Sequence, residues 1–137
     1  MRYWHFLITV VLLSSCNGQN INTLKSEKVK FKDLSEEITH YLRNPEDFHD
    51  DIQYSLIELP KGKENNYSLE TVKTRIGPWV SHKKLINIKK NIYYKIDRGV
   101  PRPFIIFENT LYVPDRYNIF TAVDDLKSLE FTRYELK

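Results

Sequence analysis

The residues best suited to recognition chemistry cluster around one short loop. Lys89 and Lys90 stand with Asn91 between two β-rich runs, residues 85–88 and 92–96. If Ile92, Tyr94 and Ile96 face a core, period-two alternation turns Tyr93 and Lys95 outward, and Trp79 lies a few residues earlier. Tyrosine and tryptophan rings stack on sugar or base planes, while ammonium groups meet phosphates or carboxylates. Trp79, Lys89, Lys90, Tyr93 and Lys95 are therefore the candidate binding residues, suited to an anionic polymer or an acidic protein partner. The same lysines also suit a plainer role, keeping foreign strands off a sheet edge.

Catalytic and metal-binding patterns are sparse. Gly18, Gly62, Gly77 and Gly99 are too far apart to build a phosphate-cradling loop or a nucleophile elbow. His40, His49 and His82 do not form the His-Glu-x-x-His spacing that puts two metal ligands on one helical face. The densest donor group is Glu46-Asp47-Phe48-His49-Asp50-Asp51, which sets hard oxygens beside an imidazole. It lacks the glycine-bearing loop of an EF-hand and reads as a solvated acidic turn. No catalytic residue, metal ligand or cofactor is assigned. A small hydrolase working through His49 with Asp50 or Asp51 stays open as an alternative, as does an inhibitor or immunity-type protein.

The N-terminus carries the most specific pattern. Arg2 supplies a positive start, Phe6 to Leu13 are mostly apolar, and Leu13-Ser14-Ser15-Cys16 follows directly. An apolar run of that length is too short for a hydrocarbon core, which takes about 20 helical residues to cross, so it reads as a leader. Leu13-Ser14-Ser15-Cys16 resembles the lipobox of bacterial lipoproteins: an aliphatic residue, two small residues, then the cysteine. The resemblance implies removal of residues 1–15, a diacylglyceryl thioether on Cys16 and acylation of the new amino group. Two or three chains anchor a protein durably where one holds it marginally. The membrane is then the first expected partner. An envelope location follows, and no nucleic acid is expected. Asn17-Gly18-Gln19-Asn20 lacks an acidic cluster after the cysteine, which favours the outer membrane on its periplasmic side.

Cys16 is the single cysteine. With its sulfur in a thioether, the mature chain has no free thiol and no disulfide, so one hydrophobic core must hold it together. Residues 16–137 suit a single domain in size, and 41% hydrophobic with 28% charged residues matches a globular composition. Charge is segregated along the chain. From Asp33 to Glu58 eight acids face Arg43 alone, and from Lys83 to Arg102 seven bases face Asp97 alone. The two stretches either neighbour and cancel each other or leave a basic surface exposed.

Several elements position these groups. Residues 16–30 are polar and read as the lipidated cysteine with a flexible tether, leaving 31–137 as the domain. Leu34, Ile38, Tyr41 and Leu42 share a face of a helix over 33–43, with Asp33 as its cap, and Asn44-Pro45 ends it and starts a short turn or helix over 45–50. Strands are expected at 52–59, 67–76, 85–88, 92–96, 104–107, 111–113 and 129–136, with a helical turn at 121–126. Asn91 can take the left-handed conformation that a tight hairpin needs, and Glu108-Asn109-Thr110 links the next pair. The fold class is α+β: one or two N-terminal helices on an antiparallel sheet of five to seven strands, with closure into a small barrel left open. Mass spectrometry of the mature chain should find Cys16 first and diacylglycerol-modified, and Cys16→Ala should leave the leader attached. An unmodified Cys16, or a Cys16→Ala product processed and membrane-held as before, would refute the anchor.

Overall fold

Phe104, Ile105, Ile106 and Phe107 leave no polar face, and a strand of that kind must be covered on both sides. The computed structural model, which describes residues 18–45, 56–60, 66–73, 80–96, 103–115 and 125–136, shows how this is met. In chain order the elements are β1 (Gly18–Asn20), β2 (Ser26–Lys30), α1 (Glu36–Arg43), β3 (Leu56–Leu59), β4 (Tyr67–Lys73), β5 (Val80–Asn87), β6 (Ile92–Ile96), β7 (Phe104–Phe107), β8 (Thr110–Pro114) and β9 (Glu130–Glu135). Short 3-10 turns occupy Ile21–Thr23, Phe31–Asp33 and Leu126–Ser128.

The strands form two sheets. One has the order β1-β6-β5-β4 and the other β2-β9-β8-β7-β3. Each is mixed, because β1 runs parallel to β6 and β3 parallel to β7 while the remaining pairs are antiparallel. The α+β class holds, weighted toward strand. The single antiparallel sheet does not: two open mixed sheets replace it, and neither closes into a barrel.

The five-stranded sheet is the middle layer. On one side Ile57, Leu59, Ile105, Tyr112 and Phe131 pack with Ile38, Tyr41 and Leu42 of α1. On the other, Phe104, Ile106, Leu111, Val113, Tyr134 and Leu136 pack with Leu85, Tyr94 and Ile96 of the four-stranded sheet. Alternation along β7 sends Phe104 and Ile106 into one core and Ile105 into the other. Two cores therefore replace the one expected from chain length.

The stretch read as a tether belongs to the fold. Residues 18–30 give one edge strand to each sheet: β1 lies beside β6 with Gly18 opposite Tyr93, and β2 beside β9 with Val29 opposite Phe131. Ile21 is 2% exposed and Leu24 is buried in the inter-sheet core, while Val29 enters the core under α1. Edge strands with one solvated face stay polar in sequence, and this explains the misleading composition. Lys25–Glu135 and Arg133–Glu27 ion pairs tie β2 to β9 along that solvated face.

The helix begins later than its periodicity suggests. Ser35, not Asp33, is the cap, with its Oγ accepting from the Ile38 N–H at 3.5 Å. Asp33 falls in the preceding 3-10 turn, which lets Phe31 and Leu34 both reach the core. Asn44 closes the helix, its N–H donating to the His40 carbonyl at 2.9 Å. Strand is correct for β4, and both hairpins turn on left-handed residues: Asn91 at φ 53°, and Glu108 with Asn109 at 50° and 58°. The turn after Asp125 is capped by its carboxylate, Oδ1 accepting from the Lys127 N–H at 3.0 Å. The readings at 46–50, 52–55 and 121–124 lie outside the described residues.

Phe131, fully buried on β9 between β2 and β8, joins α1 to the middle sheet. Phe131→Ala should cost about 3–5 kcal/mol in chemical denaturation at unchanged denaturant dependence. A loss within experimental error would show that this core is not needed.

Candidate functional site

The basic stretch over 83–102 does not form one surface. Lys83 and Asn87 alternate with Leu85 on the inner face of β5 and are buried, while Lys84, Tyr93 and Lys95 point to the outer face of the four-stranded sheet. Lys89 and Lys90 sit exposed at the β5–β6 turn. Four of the five candidate residues thus share one hairpin, and Trp79 lies outside the described residues. Tyr93 already has two neighbours. Lys84 Nζ stands 4.7 Å from its ring centroid, and its ring end lies against Gly18, where any Cβ would overlap it. Both contacts compete with a ligand for this ring.

A second cationic surface, not apparent in the sequence, lies beside the helix. A groove of about 550 Å³ is lined by Lys30 at the end of β2, Phe31, Lys32 and Leu34 in the next turn, Glu36, Thr39 and Arg43 along one stripe of α1, and Lys127. Its volume is in the range of small-ligand sites. Backbone pairing holds the two walls together, with the Phe31 N–H donating to the Leu129 carbonyl at 3.2 Å. Phe31 and Leu34 supply an apolar floor whose outer rim is cationic. The Arg43 guanidinium carbon is 5.5 Å from the Phe31 ring centroid, an arrangement that uses the ring to hold the charge over the groove.

Lys30, Lys32, Arg43 and Lys127 form no ion pair with the described residues. Four cations against one carboxylate, Glu36, around an apolar floor give an excess of positive charge that suits an anion with a flat or apolar portion. The groove lining contains no imidazole and no thiol. Only the Lys30-Phe31-Lys32 triplet is a local signal for it, since Arg43 and Lys127 come from distant parts of the chain.

The opposite sign gathers at a smaller pocket of about 330 Å³, where Glu37, Glu58 and Glu108 meet Asn66, Tyr67 and Asn109. Glu58 has a structural task there. Its carboxylate accepts from the Asn66 N–H at 2.9 and 3.1 Å and from the Tyr67 N–H at 2.6 Å, fastening β3 of one sheet to the start of β4 in the other. Among the described residues no three His, Cys, Asp or Glu side chains converge to hold a metal. The Glu46–Asp51 group, with His49, lies outside them.

Behind this clamp, burial pushes the Tyr67 phenol above its ordinary pKa of 10.0, with Tyr94 and Glu58 acting in the same direction and the Asn87 amide opposing. Burial, aided by Glu108, raises Tyr112 likewise. A raised folded-state pKa gives stability that is complete below the unfolded value and is lost as pH climbs through the folded one. Ultraviolet titration should therefore show a late tyrosine phase above pH 10.0, accompanied by loss of stability, and Tyr67→Phe with Tyr112→Phe should remove it. Simultaneous ionisation of all tyrosines in the ordinary range would contradict this burial. Comparison with protein families, with curated proteins and with solved structures gives no match to this chain.

Proposed function

We propose that this chain is a lipid-anchored envelope protein, held through Cys16 on the periplasmic side of the outer membrane, whose domain is a non-enzymatic binding module. Its ligand is anionic: an envelope polymer or an acidic partner protein. The lipobox-like Leu13-Ser14-Ser15-Cys16 supports the anchor, and the groove beside α1 supports the ligand class. The observation that carries the binding role is the set of four cations, Lys30, Lys32, Arg43 and Lys127, gathered with one acid, Glu36, around Phe31 and Leu34 and forming no ion pair among the described residues. Cations kept together against their mutual repulsion favour occupation by anions.

The hairpin residues Lys89, Lys90 and Lys95 offer positive charge as well, on the other sheet. The two surfaces are separable by mutation. Immobilised polyphosphate, used as a plain polyanion, should retain the detergent-solubilised full chain in a salt-sensitive manner. Changing Lys30, Lys32 and Lys127 to Glu should weaken retention roughly tenfold or more, while changing Lys89, Lys90 and Lys95 to Glu should do less. Equal retention by the groove variant and the parent protein would overturn the groove as the binding site.

A further inference from the structure

We infer that the β5–β6 turn is the surface by which the anchored domain rests on its own bilayer, with Ile88 dipping into the interface and Lys89 and Lys90 meeting anionic headgroups. The inference rests on lipidation of Cys16. Its first support is the length of chain between lipid and fold. Gly18 is already in a strand, and two peptide steps from Cys16 span at most roughly 8 Å between Cα atoms. So short a connection holds the end of the sheet where β1 begins close to the membrane.

The second support is what stands at that end. β1 runs parallel to β6 with Gly18 opposite Tyr93, the second residue of β6. The turn 88–91 directly precedes β6, so it projects from the sheet on the side from which the chain arrives. At about 3.3 Å per residue, it begins within about 7 Å of Gly18 along the strand direction. The end held near the bilayer is the end that carries this turn.

The third is the chemistry of the turn. Ile88, 54% exposed, is the one large hydrophobic side chain that stands exposed among the described residues. Its exposure does not come from a loose loop. The Ile88 N–H donates to the Asn66 carbonyl at 2.9 Å, Asn87 Oδ1 accepts from the Lys90 N–H at 3.1 Å, and Asn91 takes the left-handed conformation that closes the hairpin. The turn is fixed, and it presents an apolar tip flanked by two exposed lysines. Basic residues beside an apolar insertion are what an anionic membrane surface attracts.

The plainer reading of these lysines, as guards of a sheet edge, does not fit their place. β5 and β6 are interior strands, flanked by β4 and β1. Glu58, tied to this rim through Asn66, has its carboxylate turned to the Asn66 and Tyr67 backbone amides.

A single introduced thiol tests this, because Cys16 is the only natural cysteine. Full-length Ile88→Cys, Lys90→Cys and Lys127→Cys proteins are purified from membranes, labelled with a polarity-sensitive fluorophore and reconstituted into vesicles of phosphatidylethanolamine and phosphatidylglycerol with brominated acyl chains. Position 88 should be quenched several-fold more than position 127 on the helix side, position 90 should be intermediate, and replacing phosphatidylglycerol with phosphatidylcholine should reduce the difference. One label per chain with equal quenching at 88 and 127 overturns the inference while leaving the anchor intact. Two labels per chain show a free Cys16 thiol, which overturns the anchor and this inference with it.

Discussion

A sheet that is apolar on both faces cannot stand at a surface, and the rest of this molecule follows from covering it. Each of β7, β8 and β9 sends side chains into both cores: Ile105, Tyr112 and Phe131 under α1, and Ile106, Leu111 and Tyr134 toward the second sheet. Neither cover is optional, since either one removed would expose a continuous apolar face to water. With one cysteine in the whole chain, no cross-link shares the task. The polar clamp at Glu58 and the ion pairs along β2 position the layers, while burial on both sides of the middle sheet supplies cohesion.

Local patterns were legible in the sequence where they were decided locally. The apolar run of β7 announced burial on both faces, the alternation of Ile92, Tyr94 and Ile96 set the sidedness of β6, and Asn91 marked the tight turn before β6. What long-range pairing decided was not legible. β1 and β3 each join a partner in parallel, across a large separation in sequence, so nothing near residues 18–20 or 56–59 indicates the neighbour. Residues 18–30 were misread because β2 lies at an edge and exposes every residue except Val29. The start of α1 shifted by two residues because tertiary demand on Phe31 and Leu34 outweighed an acceptable cap at Asp33.

The same distinction separates the two basic surfaces. The hairpin lysines were visible because they are neighbours in sequence, yet folding disperses that stretch, burying Lys83, laying Lys84 over Tyr93 and leaving Lys89 and Lys90 at the tip. The groove cations were invisible because β2, α1 and the turn before β9 bring them from three parts of the chain. Helix α1 borders both surfaces: Glu37 lines the acidic pocket, whereas Glu36, Thr39 and Arg43 line the basic groove. A modest net charge of +3 thus coexists with a local cluster of four cations, none of them from the basic stretch over 83–102.

These two surfaces belong to different layers, and the proposed anchor gives that separation a use. The β5–β6 turn extends from the four-stranded sheet, and the groove lies on the helix side of the five-stranded sheet, with the middle layer between them. A long tether would let the domain tumble and would make this arrangement irrelevant, because any face could meet the bilayer. A connection of two residues from Cys16 to Gly18 removes most of that freedom. Under that proposal the turn is the contact with the lipid surface, and the groove on the other layer is left to other anions. In the proposed arrangement the groove takes soluble or polymeric anions while the turn takes headgroups, so the early start of β1 bears on function as well as on folding.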